Sequence, residues 1–479
     1  MTNLIKALAA LVFLVVTSNP AGAQSIAPLP SGKVIDLVLC EADPAESYAL
    51  YLPSGYTPAK RWPIIYAFDP FARGRAPVKL YQEAAEKYGY IVAGSNNSRN
   101  FSLEASSKSV NAIWQDTHGR LALDDHQVYT TGLSGGARVA GLVALRCGQC
   151  KITGVIAQGA GYPSTDAPLK KDNLNYFFSV GDEDFNWPEI MQIRRQREEL
   201  GSSYRVQVFH GPHGWAPKEV VDEAVSWIHL KALQAGLQPK DDHFVDAFFS
   251  QIKTEATEAE KRSDAIAELS AYRTLVSDFS GLENVAEFEH KLTALKQSSA
   301  LQKALKQEQR QIADQASLTA DLSSKLAAFD ESPTDQRLGL RADLLDGVRQ
   351  LKSQSEHSKP EQRLILVRAF NDLWVQGIEA GQAQLERKHF DSAASYFQLM
   401  SEITPDEPWP MLLLADTHAS NGNQKQAIKD LREAIRRGFK NANFLEQDPN
   451  LEALRKDPDF LHIIAELKPN SQSAITDRK

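Results

Sequence analysis

The sequence predicts an α/β domain, built on a mostly parallel sheet flanked by helices, followed by an all-α region. Three observations carry this. Short runs rich in β-branched and aromatic residues, such as Pro63 to Phe68, Val128 to Leu133, Asn175 to Gly181 and Tyr204 to Phe209, recur with helix-forming segments between them. From about residue 240, Gly and β-branched residues thin out while Ala, Leu, Gln, Glu and Lys dominate, which is helix without sheet. The last hundred residues repeat a pattern of small and large apolar positions at an offset of 34 residues.

At 479 residues the chain exceeds what one core usually serves, so two or three domains are expected. The expected divisions are a signal peptide over 1–23, an α/β domain over 24–238, helical hairpins over 239–360, helical repeats over 361–470 and a disordered tail over 471–479. The N-terminus carries Lys6, an apolar run of about ten residues and the small-x-small triplet Ala21-Gly22-Ala23. That is the pattern of a secretory signal peptide cleaved after Ala23, and it predicts a periplasmic or secreted protein without a transmembrane anchor after cleavage. Hydrophobic residues make up 42% and charged residues 24% of the chain, with a net charge of −8. An acidic balance without basic, aromatic-interleaved patches disfavours nucleic acid as a partner. No Gly-rich phosphate loop or zinc cluster is legible, and His210 with His213 supplies too few ligands for a metal, so no cofactor or metal is expected.

The most informative stretch is Val128-Tyr-Thr-Thr-Gly-Leu-Ser-Gly-Gly-Ala-Arg138, in which a strand breaks at Gly132-Leu133-Ser134-Gly135-Gly136 and gives way to helix-forming residues. A serine on so sharp a turn takes a strained backbone, and the chain passes close to itself only if the residues two before and two after lack a Cβ. Gly132 and Gly136 meet that need. Ser134 is the candidate nucleophile, and the Gly135 N–H, at the positive end of the following helix, is a candidate oxyanion donor. Two later strands end in candidate partners. Asn175 to Gly181 runs into Asp182-Glu183-Asp184, and Tyr204 to Phe209 into His210-Gly-Pro-His213. Asp184 stands 50 residues after Ser134 and His213 a further 29 on, each separation long enough for a crossover helix and a parallel strand. All three would then meet at the C-terminal edge of one sheet. Asp182 and Glu183 compete with Asp184, and His210 competes with His213.

With these residues in place the chain resembles the α/β-hydrolase superfamily, in particular secreted esterases of the dienelactone-hydrolase and polyhydroxyalkanoate-depolymerase or feruloyl-esterase type. The resemblance runs over about residues 30 to 235 and rests on Leu123-Asp-Asp-His-Gln-Val-Tyr-Thr-Thr-Gly-Leu-Ser-Gly-Gly136, on an acid three residues after Gly181, and on the turn Gly211-Pro-His-Gly-Trp215. It implies a catalytic triad of Ser134, His213 and Asp184 and a small-molecule or polymeric ester as substrate. One departure stands out. After the strand Pro63 to Phe68, where the superfamily commonly places His-Gly, this chain has Asp69-Pro-Phe-Ala-Arg-Gly74. Pro70 has no N–H to donate, so the second oxyanion donor is expected from the backbone of Phe71 or Ala72. Asp69 is expected to turn away and bond the loop backbone or Arg73, since an inward charge would oppose a developing oxyanion. Phe71, Phe185, Trp187 and Trp215 lie near the site in sequence, and Trp187 and Trp215 are taken as substrate-pocket residues with core packing as their alternative.

Cys147-Gly-Gln-Cys150 ends the helix after the elbow and could close a small disulfide in an oxidising compartment, while Cys40 reads as a buried thiol in an early strand or a partner to one of the pair. The segment Trp227 to Leu233 reads as the closing helix of the first domain. Beyond it, Phe248 to Leu269, Glu287 to Leu305 and Gln307 to Phe329 show helical spacing, with breaks at Ser280-Gly281 and over 331–334. In the repeat, Ala380-Gly381 corresponds to Leu414-Ala415, Ala393 to Ala427 and Phe397 to Leu431. That resembles tetratricopeptide helix pairs over about residues 366 to 440, although Gly377 and Gln384 replace the consensus Trp and Tyr. Two units rarely stand alone, so the preceding helices and the segment Phe444 to Arg455 are expected to complete the stack.

Three functional readings follow. The first is an exported serine esterase whose helical region shapes the cleft, docks a protein partner or mediates self-association. The second is an inactive hydrolase-fold scaffold that binds a partner through its repeats, which the retention of Ser134, Asp184 and His213 disfavours. A serine peptidase of the prolyl-oligopeptidase type is the third; such enzymes would normally carry a propeller ahead of the hydrolase, whereas only a few residues are expected here between the signal peptide and the catalytic domain.

Overall fold

The computed structural model describes residues 29–100, 102–162, 167–168, 170–331 and 334–473. The expected signal peptide lies outside them. Eight strands form one sheet: β1 (Val34–Leu39), β2 (Ser47–Tyr51), β3 (Trp62–Phe68), β4 (Ile91–Ser95), β5 (Leu123–Leu133), β6 (Ile152–Gln158), β7 (Asn175–Gly181) and β8 (Tyr204–Phe209). Their order is β1-β2-β4-β3-β5-β6-β7-β8. The first pairings, β1 with β2 and β2 with β4, are antiparallel, and all those from β4 through β3 to β8 are parallel. Helices return the chain between parallel strands: α1 (Arg75–Tyr88), α2 (Leu103–Arg120), α3 (Gly135–Arg146), α4 (Trp187–Leu200) and, closing the domain, α5 (Lys218–Gln234).

The strands read as apolar runs because both faces of the sheet are covered. Alternate residues feed two cores. Ile65, Tyr129, Ile156 and Phe177 pack with α1 and α5 on one face. Ile64, Val128, Val155, Tyr176 and Phe178 pack with α2, α3 and α4 on the other. A disulfide joins Cys147 and Cys150 just after α3, and Cys40 is a free, buried thiol whose pKa burial pushes up to about 12.

Helices follow without interruption by strands: α6 (Asp242–Arg262), α7 (Ala265–Phe279), α8 (Ala286–Lys296), α9 (Ser299–Glu331), α10 (Thr334–His357), α11 (Pro360–Glu386), α12 (Phe390–Ile403), α13 (Trp409–Ser420), α14 (Gln424–Arg436), α15 (Ala442–Gln447) and α16 (Pro458–Ser473). Two breaks fall within segments read as continuous helix. Between α6 and α7, Ser263 takes a left-handed cap with φ of 53° and the Asp264 side chain caps the next helix by accepting from the Ala267 N–H. Between α8 and α9, Gln297-Ser298 makes the turn, and Ser298 Oγ accepts from the Leu301 N–H. Of the expected disordered tail, 471–473 continue α16 and the remainder lies outside the described residues.

Composition changes near residue 240, but the core runs through it. Val245, Phe248 and Ile252 of α6, Leu275 and Phe279 of α7, and Leu301 at the start of α9 belong to the same apolar cluster as Trp227 of α5. The far end of α9, with Leu322, Leu326 and Phe329, belongs to a separate cluster built on α10 to α16. At the positions related by the 34-residue offset, Ala393, Ala427, Phe397 and Leu431 are all fully buried. Gly377 and Gly381 let α11 and α12 approach closely: a Cβ would lie 2.4 Å from Met400 Sδ at the first and 2.5 Å from the Phe397 ring at the second. Among the described residues no helix is long and apolar enough to cross a membrane.

Candidate active site

Ser134 connects β5 to α3 with φ of 54° and ψ of −121°, a conformation that non-glycine residues adopt only under constraint. The constraint is the near-contact of strand and helix. A Cβ on Gly132 would lie 2.2 Å from the Gly136 carbonyl, and one on Gly136 would lie 2.1 Å from the Phe68 carbonyl oxygen. The Ser134 side chain does not cap the helix it precedes, which leaves its hydroxyl available, and Gly135 opens α3, whose first N–H groups have no partner within the helix.

The loops after β7 and β8 start side by side because Gly181 and Phe209 are in register. Two Asp–His pairs result. His213 Nδ1 lies 2.8 Å from Asp184 Oδ2, and the fully buried Asp184 also accepts the Asn186 N–H at 2.8 Å through Oδ1. His210 Nδ1 lies 3.0 Å from Asp182 Oδ2, which raises the His210 pKa through that hydrogen bond. The position of the two pairs separates them. His213 lines a cleft together with Ser134, with its ring 4.5 Å from that of Phe185, whereas the His210 side chain is 84% exposed and outside that cleft. Glu183 faces the helical region, 3.1 Å from Arg363.

Asp69 is fully buried and turned into its own loop, where it takes both expected partners. Its Oδ1 accepts from the Phe71 N–H and Arg73 Nε, and its Oδ2 from Arg73 Nη2 and Trp215 Nε1, all at 2.9 Å. This corrects the expected oxyanion donor. The Phe71 N–H is occupied by Asp69, and the Ala72 N–H donates to the Asp69 carbonyl at 3.2 Å. A buried carboxylate needs several donors, and Asp69 finds them in the Phe71 amide, the Arg73 guanidinium and the Trp215 indole. Instead, the side-chain amide of Asn100 lies against the Gly135 backbone within the cleft: a Cβ on Gly135 would fall 1.8 Å from Asn100 Oδ1 and 3.3 Å from its Nδ2. Among the described residues that amide has no hydrogen-bond partner. Asn100 follows β4 and its backbone N–H is tied to the Pro70 carbonyl.

Trp187 also departs from expectation. It is buried beneath the Arg368 guanidinium, 3.9 Å from its ring, and does not line the cleft. Trp215 does line it, and so do Phe71 and Phe185.

The helical region completes the site. The cleft, about 430 Å³ in volume, is walled on its far side by Trp374, Val375, Ile378, Glu379 and Gln382 of α11 and by Trp409 at the start of α13. The same region grips the loop that carries Asp184. Arg368 Nε donates to the Asp182 carbonyl at 2.5 Å, Asn371 Nδ2 to the Glu183 carbonyl at 3.0 Å, and Gln315 Nε2 of α9 to the Phe185 carbonyl at 2.9 Å. Burial lowers the Arg368 pKa to about 10, against the pull of Asp182 and Asp184. A second cavity, about 320 Å³, lies between α4, β8, α7 and α9 and contains none of these residues. Among the described residues no group of three His, Cys, Asp or Glu side chains is placed to hold a metal ion.

The sheet order, the strand-to-helix turn at Ser134 and the flanking helices make this an α/β-hydrolase fold followed by a helical region. No protein-family model and no curated protein sequence matches the chain. Solved structures similar to its first part include fluorophosphonate-binding serine hydrolase F of Staphylococcus aureus, with 12% identity over 38% of this chain and 92% of that one and a TM-score of 0.32. A ferulic acid esterase is 16% identical over 40% of this chain and 95% of that one, with a TM-score of 0.33. An esterase of Pyrobaculum calidifontis is 12% identical over 42% and 86%, with a TM-score of 0.35. At these values the reactions of those proteins do not transfer to this chain.

Proposed function

We propose that the chain is an exported serine hydrolase that cleaves carboxylic esters through an acyl-enzyme intermediate. The observation that carries this reading is the 2.8 Å pair of His213 and Asp184 in one cleft with a serine held in a strained strand-to-helix turn. In this account His213 Nδ1–H donates to Asp184, which fixes the tautomer that leaves Nε2 free to take the Ser134 proton. Ser134 Oγ then adds to the ester carbonyl. The Gly135 N–H and, in place of Phe71, the Asn100 side-chain amide stabilise the oxyanion. His213 returns the proton to the leaving alcohol, and water repeats the sequence on the acyl-enzyme. Export is supported by the pattern of residues 1–23 and by a disulfide suited to an oxidising compartment. The helical region acts as the far wall of the cleft, so it shapes the substrate site rather than serving as a separate module.

Turnover of short-chain p-nitrophenyl esters by the mature protein tests the reading. Hydrolysis that Ser134→Ala reduces a thousandfold or more is the expected result; a wild-type protein without turnover, or a mutant that retains it, would count against it.

A further inference from the structure

The cleft holds a carboxylate that the proposed chemistry does not use. Glu379 sits on the α11 wall, and among the described residues its side chain has no hydrogen bond and no ion pair. The cations nearest it are committed elsewhere, while the side-chain amides of Asn100 and Gln382 in the same cleft are neutral. Arg138 makes two contacts to Glu189, at 3.0 and 2.7 Å; Arg73 is held bidentately by Asp69; Asn371 donates to the Glu183 carbonyl; His213 is paired with Asp184. Aromatic rings share the same cleft: Trp374 and Trp409 from the helical side, Phe71, Phe185 and Trp215 from the sheet side. Burial raises the Glu379 pKa, with Asp372 adding to the rise and His213 and Arg138 pulling against it.

A half-buried carboxylate without a protein partner, in a cleft that is also lined by aromatic rings, gains when a cation enters, since ring quadrupoles and the carboxylate attract the same partner. We propose that the cleft recognises a protonated amine or quaternary ammonium group on its substrate, with Glu379 as the counter-charge and Trp374 and Trp409 as aromatic faces. The assignment of that cation to an ester substrate rests on the serine-hydrolase reading above. Glu379 would then be a specificity residue, contributed by a helix more than two hundred residues beyond the nucleophile.

Two measurements test this, one of them independent of turnover. In the first, a butyl trimethylammonium ion and its uncharged tert-butyl isostere are titrated against the tryptophan fluorescence of the full mature chain. The cation is expected to bind on the order of tenfold tighter or more, and Glu379→Gln and a folded Trp374→Leu variant are expected to lose most of that difference. In the second, kcat/KM is compared for a thiocholine ester and its uncharged tert-butyl isostere. The ratio should favour the cation in the wild type and fall towards one in Glu379→Gln. Equal binding of the two isosteres by the wild type overturns the cation site even if esters are hydrolysed. A fall in turnover of both esters by the same factor in Glu379→Gln, with cation binding unchanged, overturns it too, because Glu379 would then act through His213. Cation-selective binding without any turnover would sink the hydrolase reading while leaving the cation site standing.

Discussion

Ser134 is held in its strained conformation by neighbours that only glycine can occupy, so substitutions around it should report on geometry as much as on chemistry. Gly132→Ala and Gly136→Ala are expected to destabilise the fold, since each new Cβ would overlap backbone at just over 2 Å. Asn100→Ala should reduce kcat about a hundredfold or more with little change in KM, as removal of one oxyanion donor does. His213→Ala should abolish turnover, while His210→Ala should leave it unaltered, which steady-state kinetics on the paired variants would check. At this scale the serine, the acid strand and the histidine strand were legible because local chemistry marks them: a Gly-x-Ser-x-Gly turn, a Gly-Asp run, a Gly-x-His-Gly turn. The turn Gly211-Pro-His-Gly-Trp215 already favoured His213 over His210, and their surroundings separate them further, one in the cleft and one 84% exposed. Phe71 and Trp187 were misread for a shared reason. Where an N–H or an indole points depends on what lies opposite: Asp69, two residues before Phe71 and expected to bond its own loop, takes the Phe71 N–H itself, while the Arg368 guanidinium that covers Trp187 is remote in sequence.

Helix α11 illustrates what one element can do at both of its ends. Its first half supplies Arg368 and Asn371 to the carbonyls of the acid loop, and its second half supplies Trp374, Ile378 and Glu379 to the cleft. Arg368→Met is therefore expected to lower kcat several-fold more than it raises KM, and to cost about 1–3 kcal/mol of stability by leaving the Asp182 carbonyl without its donor. A positioning role predicts partial rescue by Arg368→Lys, whereas loss of packing on Trp187 alone would not distinguish the two variants in the kcat-against-KM split. Helix α5 carries a pH dependence. His229 sits between Tyr88, tilted against it at 4.9 Å, and Phe244, edge-on at 5.1 Å, and burial lowers its pKa from 6.5 to about 4. Between those values the unfolded chain binds a proton that the folded chain excludes. Stability therefore rises with pH through that window and is lost as pH falls through it, by of order 3 kcal/mol. His229→Phe should flatten the denaturation midpoint between pH 4 and 6.5 relative to the wild type. The helices themselves were legible from apolar spacing, but the turns at Ser263-Asp264 and Gln297-Ser298 were not, because a polar pair on a helix surface looks the same whether the helix continues or stops.

At the scale of the whole molecule, the 33-residue helix α9 links two cores, with Leu301 in the one beneath α5 and Leu322 to Phe329 in the one built by the terminal helices. Along the way Gln315 holds the Phe185 carbonyl, and Arg194 of α4 pairs with Glu308 at 2.6 Å. The change of composition near residue 240 marks where strands end rather than where a core ends. A chain cut after residue 238 would expose Trp227 and the rest of the α5 face, and it is expected to be insoluble or inactive. The sequence could not show that the helical region faces the candidate site, since that placement depends on contacts between residues some two hundred positions apart, such as Arg368 with Asp182. The central claim is that Ser134 is a nucleophile activated by His213. The measurement that tests it most directly is labelling of the mature protein with a fluorophosphonate, followed by mass spectrometry of the modified peptide. The account predicts a single adduct on Ser134 in the wild type and in His210→Ala, and its loss in His213→Ala. Absence of labelling in the wild type, an adduct on a different serine, or equal loss in both histidine variants would contradict it.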